Sequence, residues 1–173
     1  FFFFLLFFFL LCFFFSSSSS VSCSSSSSFV LFYYYSFSLL SPPQDYTTIL
    51  TNVTRRLLRA VHASASASAN NTQNLVWVAT TPVPAADPAT NETYGNSERI
   101  ADADVVRFNA AAAGVMAAHG VRVADLHSAV VGACGGSGYV TCPIQLPYNV
   151  HFTDAGWKFI GSQLAPQITS GFT

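Results

Sequence analysis

Leu75-Val76-Trp77-Val78-Ala79-Thr80 is the strongest strand signal in the chain. It is a short, continuous apolar run bounded by polar residues, and it is rich in β-branched and aromatic side chains. A run of this kind reads as a strand buried on both faces, as in a parallel sheet. Thr81-Pro82-Val83-Pro84 ends it. The loop that follows, through Asn96, leaves the C-terminal end of the strand. Ligands bind at that edge in open α/β sheets.

Helical periodicity flanks the strand on both sides. Upstream, Ile49, Leu50, Val53, Leu57, Leu58 and Val61 recur at helical spacing from Asp45 onward, with Asp45 or Thr47 as the cap. Arg55, Arg56 and Arg59 fall toward the opposite, solvated face. Downstream, Glu98 to His119 reads as a second helix whose buried stripe is Ile100, Val105, Phe108, Ala112, Val115 and Met116. Gly120 suits its C′ position. Val121-Arg122-Val123-Ala124 alternates as a second strand, and Leu126 to Val131 reads as a short helix. Thr153 can cap a last helix with Trp157, Ile160 and Leu164 on its apolar side, and Pro166 marks its approximate end.

Helix, strand, helix, strand, helix implies an α/β fold: a parallel sheet covered by helices with right-handed crossovers. Two strands are too few to complete such a sheet. The pattern therefore reads as the C-terminal half of a three-layer α/β domain spanning residues 45–173. The apolar faces around Trp77 and Val123 are expected to lack neighbours, and an isolated 45–173 fragment to aggregate.

Residues 1–44 read as a separate, low-complexity population. Residues 1–43 are almost wholly Phe, Leu, Ser and Pro, without a charge or a glycine. All 7 basic and 8 acidic residues lie after residue 44. One origin is the translation of a pyrimidine-rich repeat, since these four residue types are the ones encoded by all-pyrimidine codons. The other is a targeting segment, in which the apolar run Phe1–Phe15 precedes a Ser-rich spacer. That run is short of the roughly 20 apolar residues a membrane span needs. On the targeting reading the protein is secreted or membrane-anchored, and membrane contact rests on that apolar run alone. Neither reading places the block in the folded core. A chain opening on Phe1 reads as a fragment or an incomplete reading frame. The net charge of −1 points to neither a nucleic-acid footprint nor a polybasic membrane patch.

Cys134 and Cys142 flank a Gly-rich loop and are read as either a disulfide or two free thiols. Asn-x-Ser/Thr sequons start at Asn52, Asn70 and Asn91. Of the 4 histidines, His62 and His119 lie at helix ends, where the dipole explains them, and His127 reads as an exposed loop residue. His151 differs. It follows a Pro-containing loop and directly precedes a helix cap, so its ring can project into a cleft.

Thr80-Thr81-Pro82-Val83-Pro84, Arg99, Asn109, the run Gly120 to Leu126, and Val150-His151-Phe152-Thr153-Asp154-Ala155-Gly156-Trp157 together resemble the C-terminal half of the SGNH hydrolases, the GDSL-type esterases and lipases. The resemblance covers roughly residues 45–170. It implies a flavodoxin-like three-layer α/β/α fold with an incomplete parallel sheet, and hydrolysis of carboxylic esters. Small-molecule esters or acylated glycans would be the substrates, with no metal or organic cofactor. In the family a Ser attacks the carbonyl, a His three residues after an Asp acts as base and then acid, and backbone N–H, Gly and Asn donors hold the oxyanion.

Carried over residue by residue, His151 is the one catalytic match. The family Asp falls at Tyr148, and the neighbouring residue is Asn149. The Asn149 carbonyl can accept from the imidazole and fix its tautomer, without the charge that stabilises an imidazolium. The first glycine is Gly95, so none of the family's Gly-bearing nucleophile blocks precedes the matching region. Gly135-Gly136-Ser137-Gly138 is not a nucleophile elbow, because Tyr139 stands where its last Gly belongs, and it reads as a flexible loop. The expected function is thus an SGNH-type ester hydrolase, inactive as written. The alternative is a non-catalytic secreted or membrane-tethered binding domain derived from the same fold.

Overall fold

The computed structural model describes residues 29–31, 43–64, 75–96 and 100–169. Arg99, the Asn70 sequon, the Ser runs and the start of the expected second helix at Glu98 lie outside the described residues. In chain order the elements are β1 (Phe29–Leu31), α1 (Pro43–Ser64), β2 (Leu75–Val78), α2 (Asp102–Ala118), β3 (Arg122–Ala124), α3 (Leu126–Ala133) and α4 (Asp154–Thr169). β2 pairs in parallel with β3, Trp77 opposite Val123. The protein is therefore a mixed α/β chain built on a parallel sheet.

All four residues of β2 are buried, at 2–6 % exposure. Alternate side chains leave a strand on opposite faces, and here they feed two separate cores. Leu75 and Trp77 join Tyr46 and Leu50 of α1 and Ala112, Val115 and Met116 of α2. Val76 and Val78 join Leu126 and Val130 of α3 and Ile160 and Leu164 of α4. Each buried Val, Leu, Ile or Met among them contributes roughly 1.5–3 kcal/mol by leaving water. A continuous apolar run is the sequence of a strand that must satisfy both faces at once.

The sheet contains one strand more than the sequence suggested. Phe29–Leu31 runs parallel to β2, with Val30 opposite Val76, giving the order β1-β2-β3. This strand lies within the Phe/Ser-rich block, before residue 44. Phe-Val-Leu is an aromatic and β-branched triplet inside a Ser-rich block, and it satisfies the backbone groups along an edge of β2 that would otherwise stand open.

Three helical details also differ. The buried residues of α1 are Tyr46, Leu50, Thr54 and Val61, whereas Ile49 is 38 % exposed. The ring of Tyr46 packs edge-on against Phe108 of α2 at 5.0 Å, which turns the helix away from an Ile49-centred stripe. Pro166 lies inside α4, which continues to Thr169. Trp157 is 59 % exposed, so the buried face of α4 is Gly156, Ile160 and Leu164.

The end of α2 matches its reading. Val121 N–H donates to Met116 O (2.9 Å) and Gly120 N–H to Ala117 O (3.2 Å), with Gly120 at φ +64°. That is the Schellman arrangement, which calls for Gly at C′. No helix among the described residues is long and apolar enough to cross a membrane.

Candidate functional site

The segment that presents His151 is a tight turn clamped on two sides. Ile144-Gln145-Leu146 lies antiparallel to His151-Phe152-Thr153: Leu146 N–H donates to His151 O (3.0 Å) and Thr153 N–H to Ile144 O (3.1 Å). Between them Asn149 N–H closes on Leu146 O (3.1 Å) across Pro147-Tyr148. Pro sets the first central position of this turn, and Tyr148 takes the second at φ +49°. A left-handed conformation at a residue with a Cβ is strained and persists only where its surroundings hold it.

The second clamp comes from the loop after β2. Tyr94 N–H donates to Tyr148 O (2.7 Å), and Val150 N–H returns a bond to Tyr94 O (3.0 Å). Gly95, at φ +76°, then lies against the imidazole. A Cβ there would stand 2.5 Å from His151 Cε1 and 2.7 Å from Nδ1. The base of this loop is itself tied down. Asn109 of α2 accepts from Thr80 N–H (2.9 Å) and donates Nδ2 to Thr80 O (2.8 Å). Asp102 accepts from Val83 N–H (2.9 Å).

A third element presses from behind. Thr153 caps α4 by accepting from Gly156 N–H (3.1 Å). A Cβ on Gly156 would lie 1.9 Å from the backbone oxygen of Ile144. The helix start and the backbone at Ile144 therefore meet without room for a side chain.

Within this frame Asn149 Oδ1 accepts twice from His151: from its backbone N–H at 2.9 Å and from ring Nδ1 at 2.7 Å. The first bond decides the second. A backbone N–H can be met only by the amide oxygen, so the oxygen, not the NH2, faces the ring. Nδ1 must then carry the proton, and neutral His151 presents the Nε2 lone pair. The ring is exposed, and Nε2 has no hydrogen-bond partner among the described residues.

Behind the turn is a buried polar pair. The Tyr139 hydroxyl donates to Gln145 Oε1, with the two residues 8 % and 2 % exposed. Burial first, and Asp102 second, push the Tyr139 hydroxyl up to about 12. Gln145 Nε2 is buried without a partner. Cys134 and Cys142 form a disulfide (S–S 2.01 Å) that closes the loop containing Tyr139. Ser137 is exposed within that loop, among Gly135, Gly136 and Gly138 in left-handed conformations.

His127 is not an exposed loop residue. It lies in the first turn of α3, with a side chain 14 % exposed and Nε2 at 3.1 Å from Asp102 Oδ1. The two are 25 residues apart in sequence, which left no local signal for the pair. Gly95 was also missed as a site residue, although it is the first glycine in the chain. His62 and His119 stand at helix ends as read, in the last turn of α1 and at the C-cap of α2. Asp154 lies exposed in the first turn of α4. Among the described residues no group of three His, Cys, Asp or Glu side chains could hold a metal ion.

No protein family, curated protein or solved structure matches this chain.

Proposed function

We propose that the His151 turn is the base half of a carboxylic-ester hydrolase of the SGNH type, on a flavodoxin-like three-layer fold, and that the chain as given does not turn over esters. One observation carries the reading: Asn149 Oδ1 holds His151 with Nε2 free to take a proton. In such a site Nε2 removes the proton of an attacking serine hydroxyl and returns it to the leaving alkoxide. Gly95 and the turn position the ring. Asn149 performs the orienting part of the carboxylate's role, without the negative charge that stabilises the imidazolium.

Inactivity follows from what faces Nε2. A serine nucleophile must be held on a rigid turn within hydrogen-bond reach of its base, and no described hydroxyl bonds to His151. Small-molecule esters or acylated glycans are the substrate class. The test is hydrolysis of an aryl acetate by the purified chain, with His151→Ala as control. Equal background rates are expected, and turnover that H151A abolishes would contradict the claim. Reading the transcript across residues 1–50 tests the family assignment separately: an upstream Gly-Asp-Ser segment would support the enzyme reading.

The uncharged residue at 149, with Trp157 and Tyr94 exposed at 59 % and 44 %, favours a second reading. In it the site is a non-catalytic surface that binds an acylated glycan. Saturable binding of an acetylated oligosaccharide without turnover, behind a start Met followed by the Phe/Ser block, would support it.

A further inference from the structure

We propose that Asn91 is an acceptor for an N-linked glycan, independently of the function proposed above. Asn91-Glu92-Thr93 has the sequon pattern, and so do Asn52-Val53-Thr54 and Asn70-Asn71-Thr72. The last lies outside the described residues, and the structure separates the other two.

Asn52 sits in α1, where residues two apart point to different sides of the helix. Its side chain is exposed while Thr54 is 1 % exposed. Once α1 forms, the Thr54 hydroxyl is turned into the core, away from the Asn52 amide. Asn91 stands instead at the tip of a turn. Asp87 O accepts from Asn91 N–H (2.7 Å), and Asp87 and Glu92 form an antiparallel bridge. Residues 88–92 are all exposed. Asn91 takes φ +56°, a left-handed conformation that Asn tolerates better than most residues. Its side-chain amide makes no hydrogen bond to a described residue, and Thr93 bonds only weakly, to Pro84 O at 3.4 Å. A saccharide on this tip would displace nothing from the core.

A second, independent observation fits the same history. The Cys134–Cys142 disulfide is of the kind that forms and persists in an oxidising compartment, where N-glycosylation also takes place. The donor would be an oligosaccharide linked through pyrophosphate to a polyprenyl lipid. Asn91 Nδ2 bonds to the anomeric carbon, the carbon–oxygen bond to pyrophosphate breaks, and the displaced amide proton leaves with the lipid pyrophosphate.

The test expresses the full chain behind a cleavable secretory signal in eukaryotic cells. Glycans are released enzymatically in heavy-oxygen water, and peptides are read by mass spectrometry from both the medium and the membrane fraction. The expected result is an isotope-tagged residue at Asn91, lost in T93A, which destroys the sequon and leaves the Asn91 backbone undisturbed. N91D, which keeps a residue tolerant of left-handed φ, should lose one glycan on gels. An untagged Asn91 peptide in the wild-type chain from either fraction would overturn the proposal.

Discussion

Asn149 Oδ1 lies 2.7 Å from His151 Nδ1 and 2.9 Å from His151 N, so one amide oxygen fixes both the backbone and the ring of the same residue. The family to which the sequence bears a resemblance uses a carboxylate three positions before the histidine, which here is Tyr148. That residue cannot serve: its backbone is at φ +49°, spent on making the turn. On the proposed reading the orienting function would fall one residue along the chain, to Asn149, a side chain that cannot carry charge.

Gly95 is predicted to be indispensable to this geometry. Gly95→Ala places a Cβ 2.5 Å from His151 Cε1 at a residue with φ +76°. The backbone term alone should cost about 1–2 kcal/mol, and the imidazole should be pushed off Asn149. Denaturant melts read the first effect and the His151 ring resonances the second. A variant with native stability and unshifted ring signals would show that the loop after β2 does not brace the site.

Tyr139 and Gln145 should be coupled. Tyr139→Phe leaves the buried Gln145 amide without its hydroxyl partner, where Nε2 already lacks one. The expected loss is about 1–3 kcal/mol, most of it recovered in Y139F/Q145L, where both polar ends are gone. The pH sign is also defined. The folded hydroxyl is raised from 10.0 to about 12, so its contribution is complete below pH 10 and lost as pH rises toward about 12. Y139F should lack that alkaline loss.

Asp125 should behave in the opposite sense. Burial tends to raise its pKa, but bonds from Ser128 N–H and Oγ, with His127 nearby, outweigh this and hold it below the ordinary 3.8. A depressed folded value gives stability that is present above the unfolded value and lost as pH falls through the folded one. Asp125→Ala removes the cap of α3 and should cost about 1 kcal/mol near neutral pH. The difference should shrink in acid, and one that is equal at pH 7 and in strong acid would contradict the pairing.

The fold was most legible where local chemistry and burial agree. Leu75–Val78 announced a doubly buried strand, Gly120 a helix end and Thr153 a cap, because each depends on residues within one turn or strand. The errors came from contacts between distant segments. Tyr46 meeting Phe108 reset the phase of α1. Phe152, whose ring lies 5.7 Å from that of Trp157, sits in the core position that periodicity had given to Trp157. Asp102 reached His127 across 25 residues. At the turn, Asn149 was legible as a possible acceptor for the His151 ring. Gly95 was not, because only the folded loop brings it to the ring.

Residues before 43 should matter to solubility. β1 covers an edge of β2, and an open edge strand templates pairing with other chains. A chain starting at Pro43 is predicted to self-associate in light scattering where the full chain does not. A monomeric truncation with an unchanged cooperative melt would deny β1 its place in the sheet.

The tautomer of His151 reports directly on its bond to Asn149. Long-range proton–nitrogen correlation NMR of the neutral ring distinguishes a protonated Nδ1 from a protonated Nε2. With Asn149 in place, Nδ1 should carry the proton and Nε2 should show the shift of an unprotonated ring nitrogen, and Asn149→Ala should abolish that bias. A wild-type ring protonated at Nε2, or one averaging both forms as free imidazole does, would contradict the account.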